Sequence, residues 1–274
     1  MAISRSQLVK ELEPGLNALF GLEYKRYENQ HAEIYTAESS DRAFEEEVML
    51  SGFGNASVKP EGQGVSYDDA QETFTARYTN ETIALAFAIT EEAIEDNLYD
   101  RLASRYTKAL ARSMASTKQI KGAAVLNNGF DNTYAGGDGV ALLSDAHPTL
   151  SGTFRNELAT AADLNETSLE QSLIDISAFT DERGLKIAAR GMKMIIPPQL
   201  QFTADRLMKS EGRTGTADND INAVRNMGMI PEGYTVNHFL TSNKKWFIKT
   251  DVPNGLKHFV RSPIKTSMEG DFDT

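Results

Sequence analysis

The residues of this sequence that could do chemistry begin with Asp145 and His147, two apart in the loop SDAHP. A carboxylate beside an imidazole can relay a proton or share a metal ion. Either role needs further convergent groups, and the other histidines, His31, His238 and His258, stand at no ligand spacing. A loop histidine ahead of a proline therefore reads as structural. GGDG, from Gly136 to Gly139, is not a phosphate loop, because no Gly-Lys-Ser/Thr follows it. Asp218, Asp220 and Asn222 alternate as at the opening of a calcium loop, but Ala223 and Met229 occupy the positions that demand glycine and a bidentate glutamate. Helix capping accounts better for these aspartates, with Asp218 as the expected cap. Glu45, Glu46 and Glu47 read as a solvated strand edge, and Lys59 as a solvated lysine. No nucleophile elbow, His-Glu-x-x-His or dinucleotide fingerprint is present. With no cysteine there is no thiol nucleophile, disulfide or thiolate metal site. No residue is expected to be catalytic or to hold a cofactor or metal.

The chain of 274 residues is long enough for one large or two modest domains. Its composition, 40% hydrophobic and 24% charged, is that of a globular protein. No apolar run reaches the length of a membrane span, and the N-terminus lacks the apolar core of a secretory signal. A net charge of −11 makes the chain as a whole a poor binder of phosphate backbone.

The element that must position everything else runs from Thr90 to Gly129. Thr90 suits an N-cap, Glu91 and Glu92 suit the first turn, and Asn127, Asn128 and Gly129 suit the end. Such a helix would be roughly 55 Å long. Its large apolar residues Ile94, Leu98, Leu102, Tyr106, Leu110 and Met114 recur every fourth position. A step of four drifts about 40° each time, so the stripe should turn across different partners, unlike a coiled-coil seam. Leu102→Asp is accordingly expected to bury a charge.

Before this helix, residues 4–13 suit a short helix that Pro14 and Gly15 should interrupt. Residues 23–42 read as an arm lying on something else. Phe44, Val48 and Leu50 then face Phe74, Ala76 and Tyr78 across a hairpin, with Ile83, Leu85, Phe87 and Ile89 continuing the second strand. Its open, glycine-rich tip spans Gly54 to Asp69, and its support should be another chain. After the long helix come a helix over 164–180 starting at Asn165 and Ser168, a strand at 192–196 stopped by Pro197 and Pro198, and a helix over 199–210. A short helix through Ala223 and Val224 and strands at 235–240 and 246–248 follow. This alternation argues a compact α/β unit.

Several strings carry a resemblance. They are SGFG (51–54), VKPEG (58–62), FTARYTNET (74–82), FAITEEAIEDNLYD (87–100) and GGDGVALLSDAHP (136–148). Further on they are DERGLKIAAR (181–190), IIPPQLQF (195–202), GTADNDINAVRNMGMIPEG (215–233) and DVPNGLKHFVR (251–261). Over nearly its whole length the chain resembles tailed-bacteriophage major capsid proteins of the HK97-like fold.

The resemblance implies an α+β chain in five parts: an N-terminal arm (1–42), an extended E-loop hairpin (43–86), a P-domain spine helix (87–130), an A-domain (131–239) and return strands to the P-domain (240–274). It implies hexamers and pentamers closing into an icosahedral shell that encloses double-stranded DNA without reading its sequence. Gly54, Lys59, Pro60, Glu61 and Tyr67 are the expected inter-subunit contacts at the hairpin tip. A separate scaffolding protein, a portal and cement proteins are the expected partners, and no membrane is involved. The expected location is the virion capsid, assembled in the bacterial host cytoplasm. Similar proteins usually continue past the EGDF segment into a basic, aromatic stretch that would complete the outer edge of the P-domain. The rival readings are an encapsulin-like compartment shell and an acidic cytosolic α/β enzyme.

Overall fold

The computed structural model describes residues 5–89, 99–212 and 220–267. The chain opens with helix α1, Arg5–Lys25, which runs through Pro14 where an interruption was expected. Proline removes one backbone donor and crowds the preceding turn. Here α1 lies packed against the long helix α2, Tyr99–Asn127, and tertiary packing of this kind outweighs local propensity. After a single 3-10 turn at Gln30–Glu33 the chain extends as β1, Thr36–Ser39. β1 pairs in parallel with β9, Lys257–Val260, so the arm lies on its own chain.

β2, Phe44–Leu50, and β3, Glu72–Thr79, form the antiparallel hairpin, with Phe44 opposite Thr79 and Leu50 opposite Glu72. Residues 80–89 make no strand pairing, contrary to the expected extension of β3. Their alternation is real, but a strand needs a neighbour, and none of the described strands runs beside them. Leu85 and Phe87 consequently stay exposed.

The expected start of the long helix, with Thr90, Glu91, Glu92, Ile94 and Leu98, lies outside the described residues. In α2 the buried row is Ala103, Thr107, Ala111, Ala115, Gln119 and Ala123. It keeps the step of four but sits one residue beyond the expected large apolar stripe. Leu102, Leu110 and Met114 are only half-buried, and Tyr106 is 50% exposed. Small side chains on the covered face let a neighbouring helix approach closely, which the large residues would prevent.

A three-stranded sheet in the order β7–β6–β8 centres the second half of the chain. Its middle strand β6, Gly191–Ile196, runs parallel to β7, Tyr234–Val236, and antiparallel to β8, Phe247–Thr250. β6 reads as an apolar run because both of its faces are covered. Met194 and Ile196 join Leu169, Leu173, Leu207 and Val224 in one core. Ile195 on the other face joins Ile34, Leu126, Leu240 and Phe247 in a second core. The sheet is thereby welded to both the arm and α2.

Helix α3, Glu166–Ser177, starts at Asn165 with a reciprocal capping box to Ser168, as its sequence indicates. Helix α4, Gln201–Lys209, follows one 3-10 turn after Pro197. The single-turn helix α5, Ala223–Asn226, is capped by Asn222, whose side chain accepts from the Arg225 amide. The expected cap Asp218 is outside the described residues. β7 stops at Val236, short of Leu240, because Asn237 turns the chain by accepting from the Phe239 amide. A small hairpin of β4, His147–Thr149, and β5, Gly152–Phe154, completes the fold.

Candidate assembly surfaces

Two of the residues that could have done chemistry, His147 and Asn222, are held in structural contacts. His147 Nδ1 meets Asp138 Oδ2 at 2.6 Å, so its carboxylate partner comes from the GGDG loop and not from Asp145. Asp138 also accepts from the Val140 amide through its other oxygen, which closes that loop. Asn222, the calcium-like position, spends its amide nitrogen on the Leu207 carbonyl. Among the described residues no group of three acids or histidines is placed to hold a metal ion. The acidic run is not a bare solvated edge. Glu45 accepts from the Ser40 hydroxyl at 2.8 Å, Glu46 pairs with Arg77 at 2.6 Å, and Glu47 pairs with Lys257.

The hairpin has a fixed root and an open tip. Its strands close where the Ser51 amide donates to the Gln71 carbonyl and the Gln71 amide donates to Ser51 Oγ, both at 2.8 Å. Gly137 lies against β3 so closely that a Cβ there would stand 2.6 Å from the Thr75 carbonyl oxygen. Just above the root, Asp68 accepts from the Gly54 amide at 2.7 Å and from Arg183 at 2.6 Å. These donors hold the Asp68 carboxyl below the ordinary aspartate range, the Gly54 amide first and Arg183 next.

Beyond that point little of the tip is covered. Pro60 accepts from the Gln63 amide in a turn that uses Gly62 at φ +81°. Lys59, Pro60 and Glu61 are exposed, Val58 is 94% exposed and Tyr67 97%. Of the five expected contact residues, Gly54 bonds to Asp68 and Pro60 closes only its local turn within the chain.

A third arrangement was not legible in the sequence. The arm is clasped to α2 and to the sheet. Gln119 accepts from the His31 amide at 3.0 Å and donates to the Glu28 carbonyl at 3.0 Å. The Tyr35 hydroxyl donates to the Gly122 carbonyl at 2.6 Å, and burial pushes that phenol up to about 12. Gly122 is required there, since a Cβ would stand 2.5 Å from that of His31. The His31 and His258 rings meet edge-on at 5.3 Å. Lys193 pairs with Glu33 at 2.5 Å and Glu232 at 3.1 Å, while Lys257 joins Glu38 to Glu47.

The family model described as phage capsid protein matches residues 72–274. The chain belongs to that family and is a structural shell protein, not an enzyme. Among solved structures, the procapsid of bacteriophage JBD30 is similar at 15% identity and a TM-score of 0.60, over 87% of this chain and 100% of that one. The bacteriophage JBD30 capsid is similar at 13% identity and a TM-score of 0.58, over 77% and 90%. The same values hold for the JBD30 capsid decorated with minor capsid protein trimers. No curated protein sequence matches the chain.

Proposed function

We propose that the chain is the major shell subunit of a tailed bacteriophage. Copies join into hexamers and pentamers that close into an icosahedral shell around double-stranded DNA. In this reading the chain divides into arm (1–42), E-loop (43–86), P-domain spine helix (87–130), A-domain (131–239) and return strands (240–274). The observation that carries it is the hairpin tip, whose Val58 and Tyr67 are almost fully exposed on a fixed root. With Phe53 and Val65 also exposed, the tip carries several large apolar side chains in water, as an interaction surface does. Gly54, Lys59, Pro60, Glu61 and Tyr67 would meet the neighbouring subunit. Such a contact is heterologous, the type that closes into rings when its rotation permits.

The similar solved structures include a procapsid and a capsid decorated with minor capsid protein trimers. They support a precursor shell, with a scaffolding protein, portal and cement proteins as partners. The subunit would assemble in the bacterial host cytoplasm and reside in the virion capsid. Electron microscopy and sedimentation of the purified protein test this reading. Closed particles tens of nanometres across are expected; a monodisperse monomer across salt and protein concentration would overturn it.

A further inference from the structure

Charge is distributed very unevenly along this acidic chain. From Arg101 to Asn127 the sequence holds six basic residues and no aspartate or glutamate. Of the five whose side chains are described, Lys121 pairs with Glu81 at 2.7 Å, and Lys118 is half-buried within electrostatic reach of His31 and His258. Arg105, Lys108 and Arg112 are different. All three are exposed, and none of their side chains makes an ion pair or hydrogen bond among the described residues.

Their spacing of three and four places them on one face of α2, so each stands beside a like charge. Like charges at these spacings work against the helix, and an ordinary surface helix relieves them with intervening acids. With 39 acidic residues against 28 basic ones, the chain has acids to spare, yet none occurs in this stretch. The row spans roughly 10 Å of helix axis, a length over which duplex DNA presents about six phosphate charges.

We propose that Arg105, Lys108 and Arg112 form a phosphate-binding face turned toward the DNA inside the shell, an inference that rests on the shell reading above. The contact is electrostatic and carries no sequence information, since none of the three is placed as part of a base-reading motif. It also assigns the chain's polarity: the α2 face bearing this row points inward, and the net negative charge of the chain disfavours duplex elsewhere.

Anisotropy of a short fluorescein-labelled DNA duplex, titrated with purified unassembled subunit at low salt, tests this. Binding is expected, with log affinity falling against log salt at a slope of about −2.7 for three phosphate contacts. Replacing Arg105, Lys108 and Arg112 with Gln should weaken binding at least tenfold and flatten the slope. A control triple with the same charge change, Lys186→Gln, Arg261→Gln and Lys265→Gln, should lose less than twofold. Assembled wild-type shells should not bind duplex added outside.

Equal losses in the two triples, or duplex binding by intact shells, would overturn the proposal. So would no binding by the wild-type subunit, or tighter binding of poly-L-glutamate than of duplex. The last result would assign the face to an acidic protein. Electron microscopy of the same samples separates this inference from the shell reading, because shells can form whether or not the face binds DNA.

Discussion

The Asp68 carboxylate and the Arg183 guanidinium, 115 residues apart in sequence, meet at 2.6 Å and pin the base of the hairpin tip to the loop before β6. Asp68 is a depressed carboxyl, so its contribution is complete above the ordinary aspartate pKa and is lost as pH falls through its lower folded value. Asp68→Asn should reproduce at neutral pH the loosening that wild type shows only in acid. Hydrogen exchange of residues 52–70, corrected for intrinsic rates, reads this. Because both side chains stay partly exposed at the surface, the unfolding temperature should scarcely move. Identical exchange in the two proteins at neutral pH would count against the pin.

Removing the tip should separate folding from assembly. Replacing residues 55–66 with an Asn-Gly turn keeps both strands of the hairpin and the Ser51–Gln71 closure. A soluble subunit with near-normal circular dichroism and no stable shells is expected. Normal shells would show the tip to be ornamental, and wholesale misfolding would place it in the core.

Gly122→Ala should reverse the usual sign of a helical glycine substitution. Inside an ordinary helix alanine gains about 1 kcal/mol over glycine. Here the new methyl would stand 2.5 Å from the His31 Cβ, and overpacking of this kind costs about 1–3 kcal/mol. Chemical denaturation should show a net loss in the wild-type background. In a His31→Gly background the same alanine should be neutral or stabilising. A loss of equal size in both backgrounds would mean that the clash is not its cause.

The arm clasp should weaken on mild acidification. Burial lowers the pKa of His31, while the Gln119 contact raises it and Lys118 and His258 lower it further; burial, then Lys118, lowers that of His258. The neutral forms are therefore favoured in the fold, and the unfolded chain binds more protons as pH drops. Stability is full above about 6.5 and declines as pH falls toward and through the folded values. His258→Gln should flatten the slope of denaturation midpoint against pH in this window. A variant whose midpoint tracks wild type in parallel would remove His258 from the effect.

Much of this architecture was legible because it rests on local rules. The capping box at Asn165 and Ser168, the prolines that stop β6 and the glycine-rich hairpin tip all write their geometry into neighbouring residues. The step of four along α2 was legible too, but its buried row was not. Hydrophobicity points to Leu102, Tyr106 and Leu110, whereas close helix packing selects Ala103, Thr107 and Ala111 for their size. Pro14 was misleading for a related reason, since packing against α2 is invisible in a local window. The contacts of Gln119, Arg183 and Lys257 reach across about 90 to 210 residues and leave no periodic trace.

The parallel pairing of β1 with β9 has a consequence in time. Thr36 cannot find its partner Lys257 until more than two hundred further residues have left the ribosome. A contact of such sequence separation forms late, because its loop must close before the pairing gives any return. The early part of each nascent subunit therefore waits, with β1 unpaired, while the later sheet folds. Synthesis itself would then act as a timer that keeps unfinished chains out of a growing lattice.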